Sequence, residues 1–105
     1  MDINKESLGG TLMHGHQTAG TTRRQLVEGK YEVLKGVLMR APGSGDPTPN
    51  TAPIWVGGKS VTADSSATGG MPLPPGESMF LPVDDPTQLW LISTDDNQDI
   101  AWITV

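Results

Sequence analysis

Apolar residues fall along this chain in short runs, separated by stretches rich in Gly, Pro, Asp and Ser. The pattern is sharpest from Ser78 onward. SMFLPV (78–83) predicts a strand, closed by a turn at Asp84-Asp85-Pro86. In QLWLIST (88–94), Leu89 and Leu91 share one face while Trp90 and Ile92 share the other, the period of two that an extended chain imposes. DDNQ (95–98) predicts a hairpin loop, since Asp and Asn tolerate left-handed geometry, and DIAWITV (99–105) predicts the strand that follows. In LWLIS and IAWITV both faces carry apolar side chains, so one face is expected against a second sheet and the other against another chain.

Upstream the same grammar holds with weaker signals. IWVGGKSVTA reads as two short strands joined by a Gly57-Gly58 turn. The segments on either side, APGSGDPTPNTAP (41–53) and DSSATGGMPLPPGES, are Pro- and Gly-rich loops, the first expected to be exposed and mobile. Pro74-Pro75-Gly76 suits a type II turn, with proline presetting φ at one central position and glycine supplying positive φ at the next. In RRQLVEGKYEVLKGVLMR, Tyr31, Val33, Val37 and Met39 alternate on one face, with Leu34 and Leu38 on the other. Leu34, Val37 and Leu38 also satisfy a helical spacing, but Gly29 and Gly36 favour strand. SLGGTLMHGHQTAGTT sustains no apolar period of either kind. The expectation is therefore an extended Gly-rich N-terminal arm over residues 1–22, followed by an all-β domain over 23–105. Seven short strands at fairly regular spacing predict a small β-sandwich or jelly-roll-like fold.

Composition narrows this further. Gly and Pro make up 22 of 105 residues, enough to break any long helix. There is no cysteine, so a domain this small is expected either in a reducing compartment or stabilised by partner chains. MDINKESLGG has no apolar core of a signal peptide, and no apolar run approaches the roughly 20 residues of a membrane helix. A soluble chain assembled in a cytoplasm, without membrane partners, is expected. Residues 1–40 carry six Lys or Arg against four Asp or Glu, whereas 41–105 carry Lys59 alone against eight acids. That acidic majority would repel phosphate, which argues against a nucleic-acid partner.

Candidate chemistry is sparse. His14 and His16, two apart in an extended chain, point to the same side and form a weak metal-site candidate. A zinc site needs three or four ligands, so the remainder would have to be carboxylates or symmetry-related copies of the pair. Asp95-Asp96-Asn97-Gln98-Asp99 imitates the opening of a calcium loop but lacks its glycine and its closing glutamate. No nucleophile–base–acid set and no phosphate-binding glycine motif occurs, so neither catalysis nor a cofactor is expected. Trp55, Trp90 and Trp102 sit inside apolar strands and are read as core or subunit-interface residues. Exposed in a row, they would instead suit a carbohydrate-binding, adhesin-like module.

The half from Pro53 to Val105 resembles a family of small virion proteins of tailed bacteriophages. The shared cadence is PIWVGGKSVTA, a polar loop, GGMPLPPGESMFLPVDDPTQLWLIST and a closing IAWITV. Within it lie a P-L-x-P-G-E turn and an L-x-V-x-D-x-x-x-L-W segment. The resemblance implies a β-sandwich or jelly-roll-like module on the outside of an icosahedral head. Such a decoration or cement protein would bind the major capsid protein and itself, as a dimer or trimer. Leu8, Leu12 and Met13 in the arm, Arg23 and Arg24 after it, and Trp55, Trp90 and Trp102 are the expected contact residues. A head–tail connector or a tail or fibre component is the alternative assembly role.

Overall fold

Residues 13–28 and 35–105 are described by the computed structural model. Eight strands appear among them: β1 (His14–Ala19), β2 (Arg24–Gln25), β3 (Val37–Arg40), β4 (Ile54–Gly57), β5 (Met71–Leu73), β6 (Ser78–Leu81), β7 (Trp90–Ser93) and β8 (Gln98–Thr104). The structure bears out the all-β sandwich. One 3-10 turn, Pro86–Gln88, interrupts the strands and is capped by Asp85, whose carboxylate accepts the Thr87 N–H at 3.0 Å.

The strands form two four-stranded antiparallel sheets. The first has the order β1-β8-β3-β6 and the second β2-β7-β4-β5. Strand pairs β1·β8, β2·β7, β3·β6 and β4·β5 are therefore the rungs of one long antiparallel ribbon. Rolling that ribbon up brings β8 against β3 and β7 against β4, which completes both sheets. This is the jelly-roll winding. Among the described strands, only β4 and β5 are consecutive neighbours in one sheet; the other consecutive pairs lie in different sheets.

Burial alternates along the strands as a sandwich requires. Val37 and Met39 point inward from β3, Ile54 and Val56 from β4, Leu91 from β7, and Ile100 and Trp102 from β8, with Leu26 and Leu73 completing the core. The type II turn forms as expected: Gly76 has φ +86° and the Glu77 N–H donates to the Pro74 carbonyl at 3.1 Å.

Several expectations are corrected. The arm does not extend to residue 22, because His14–Ala19 is a full strand paired residue for residue with β8. No hairpin forms at Gly57-Gly58. β4 instead pairs with β5 after a loop whose own bonds include the parallel Thr62–Gly69 bridge. The Asp95–Gln98 segment is not a hairpin loop either: β7 and β8 lie in different sheets, so it is an arch between them, with Asn97 at φ +63°. The loop over 41–53 is held down. Asn50, 8% exposed, donates to the Asp99 carbonyl and accepts the Asp99 N–H, both at 2.8 Å. The buried Gln98 side chain accepts the N–H groups of Thr51 and Ala52 at 2.8 and 3.0 Å. At the other end of the loop, the Gly43 N–H (2.7 Å) and then Arg40 (3.2 Å) hold the Asp46 carboxyl below its ordinary value of 3.8.

Candidate functional surfaces

The outward sides of the two sheets differ. On the first, cross-strand register aligns His14, Ile103, Leu38 and Phe80 in one row, and His16, Ala101, Arg40 and Ser78 in the next. Leu38 and Phe80 are 40% and 45% exposed, and together with Ile103 they make an apolar stripe that no described residue covers. A shallow hollow of about 180 Å³ opens beside it, over Ala101. Small side chains at Ala101 and Ser78 leave this space between the larger neighbours Leu38, Arg40 and Ile103. Apolar area left in water at the centre of a sheet is the usual mark of a contact surface.

The second sheet turns Trp55 and Trp90 outward, both half-buried. In the register Trp55 stands between Ile92 and Pro72, and Trp90 stands between Gln25 and Gly57. Trp102 belongs elsewhere. It is 8% exposed, points into the sandwich, and lies so close to β1 that a Cβ on Gly15 would meet its Cζ2 at 2.9 Å. Of the two readings of Trp102, core or subunit interface, its burial supports the core, where its area is spent.

The remaining expected contact residues separate by position. Leu8 and Leu12 lie outside the described residues. Met13 is partly buried against the core, and its carbonyl accepts the Thr104 N–H at 2.8 Å. Arg23 donates from Nε to the Val61 carbonyl at 2.7 Å, and Arg24 donates from Nη1 to the Thr18 carbonyl at 3.1 Å. Both arginines are exposed, but these bonds fix them within the fold. His14 and His16 do project from one side of β1 into solvent. Among the described residues no three His, Cys or carboxylate side chains come together as a metal site.

Sequence reasoning missed a cleft of about 720 Å³ where the ends of β1 and β2 meet the β7–β8 arch. Its walls come from three separate stretches, around 18–28, at 90 and at 96–97, so no local motif announces it. The exposed loop at Thr62–Thr68 is another polar cluster. There Asp64 accepts from the Ser66 hydroxyl, the Ser66 N–H and the Thr62 hydroxyl, which together hold its carboxyl below the ordinary range. These bonds are satisfied within the loop. No family model, curated protein or solved structure matches this chain.

Proposed function

We propose that this protein is a structural component of a tailed-bacteriophage virion, decorating and stabilising the outside of the capsid through protein–protein contacts. The observation that carries the reading is the stripe of Leu38, Phe80 and Ile103 on the open face of the first sheet. Arg40 stands in the neighbouring row, so the stripe fits a capsid surface with an apolar centre and a carboxylate beside it. The likeness of Pro53–Val105 to small virion proteins supports the same role. So does the acidic balance of residues 41–105, which suits a protein outside the shell and away from packaged DNA. The role is contact, not catalysis. Self-association as a homodimer or homotrimer would add avidity on a symmetric shell.

The test is sedimentation of the purified protein with heads that lack it, alongside native mass spectrometry. Binding by the wild type and at least tenfold weaker binding by Leu38→Glu, about 1.4 kcal/mol, is the expected pair of results. Leu38 is exposed, so the variant should keep its thermal transition. A monodisperse monomer that does not bind heads would sink the proposal, and rings of six or twelve would move the protein to the head–tail connector.

A further inference from the structure

The cleft at the β1–β2 corner has the dimensions of a ligand site and a lining that selects a ligand class. Arg23 and Arg24 face Glu28 and Asp96, so its formal charge is balanced. An anion would meet two carboxylates, and a metal ion would lack a third ligand. Donors and acceptors nevertheless crowd the walls. Thr18 and Thr22 bring hydroxyls, and Gln25 and Asn97 bring amides. Trp90, half-buried, is the aromatic wall, and a π face is a favourable surface for the weakly positive C–H groups of a pyranose ring.

The walls are also fixed before any ligand arrives. Arg24 is held through Nη1 by the Thr18 carbonyl at 3.1 Å and by Gln17 Oε1 at 3.4 Å. Asp96 is held through Oδ1 by the Thr21 N–H at 3.0 Å and the Thr21 hydroxyl at 3.2 Å. Gln25 donates from Nε2 to the Thr87 carbonyl at 3.0 Å. Those bonds use one side of each group. Asp96 Oδ2, the remaining guanidinium nitrogens of Arg24 and the Asn97 amide have no bond to any described residue. A neutral, hydroxyl-rich, partly apolar ligand is what such a surface complements.

We propose that this cleft binds neutral oligosaccharide. It lies away from the Leu38–Phe80 stripe, so a protein held to a shell by that stripe would still present the cleft to solvent. The site does not require the capsid role, and its test uses the purified chain alone. Binding is first surveyed on an array of neutral and anionic glycans. Amide shifts are then followed by NMR as the best neutral glycan is titrated in, with heparin as the anionic contrast. Saturable shifts at Gly20, Arg24, Asn97 and the Trp90 indole N–H are expected, with the millimolar affinity of an open site. Trp90→Ala should weaken binding by about three- to tenfold. Asn97→Gly, which suits the φ of +63°, should weaken it by about threefold or more while keeping the fold. The second variant keeps the test decisive should Trp90→Ala fail to fold. Binding to no neutral glycan, binding to heparin alone, or neutral-glycan binding undiminished in Asn97→Gly would each overturn the proposal.

Discussion

Two residues whose importance is not visible in their hydrophobicity hold much of this fold. Gly15 is small because the Trp102 ring occupies the space a side chain would need. Gly15→Ala should therefore cost about 1–3 kcal/mol by overpacking, read as a lower midpoint in urea at unchanged m-value. A neutral result would mean that β1 can lift away from β8 at this point. Asn50 replaces a strand neighbour: it gives Asp99 the donor and acceptor that another backbone would have supplied. Asn50→Ala should cost about 2–4 kcal/mol, because it leaves both backbone groups of a half-buried residue unpaired. Hydrogen exchange at the Asp99 amide would report the loss directly. Neither role could be read from the chain, since a glycine in a polar stretch and an asparagine in a Pro-rich loop are ordinary turn residues until their distant partners are known.

At the scale of elements, legibility followed the hydrophobic period. β4, β7 and β8 alternate side chains on a two-residue repeat and were legible as strands, but with apolar residues on both faces of β7 and β8 the repeat does not say which set turns inward. β1 escaped because its inward residues are Gly15, Gln17 and Ala19, none of which makes an apolar pattern. Gln17 faces the sheet edge and donates to the Gln25 carbonyl at 2.8 Å, tying β1 to β2. Periodicity also cannot tell which sheet the next strand will join, which is why the β7–β8 arch read as a hairpin. The strand status of β1 has a direct consequence for truncation. Removing residues 1–22 takes away the outer neighbour of β8 and uncovers Trp102, so it should lower the thermal midpoint well beyond any effect of removing 1–12. Equal midpoints for the two deletions, measured by calorimetry, would return residues 13–22 to the arm.

Among the described residues the molecule is a sandwich with an apolar stripe on the first sheet and, away from it, a charge-balanced cleft that shares Trp90 with the outward face of the second. The two proposed roles, attachment by the stripe and recognition by the cleft, are therefore separable by mutation. Leu38→Glu should change shell binding and leave glycan titrations untouched, while Asn97→Gly should do the reverse. β3, β4, β6, β7 and β8 were legible in the sequence, whereas β1 and β5 fell in segments read as arm and loop; the surfaces were not legible, because each is assembled by cross-strand register from segments far apart in the chain.

The winding of the ribbon also dictates when the protein can become itself. β8, last in order, lies in the middle of the first sheet, between β1 and β3. A nascent chain emerging from the ribosome therefore carries β1 and the β3·β6 pair with nothing to join them until residues 98–104 are free. The Leu38–Phe80 stripe is, until then, one side of an unsealed sheet. Such non-local closure is slow and leaves edges open to wrong partners. Synthesis that stalls before Gln98 should therefore yield not a shortened sandwich but an adhesive one, read as aggregation of a fragment lacking residues 98–105.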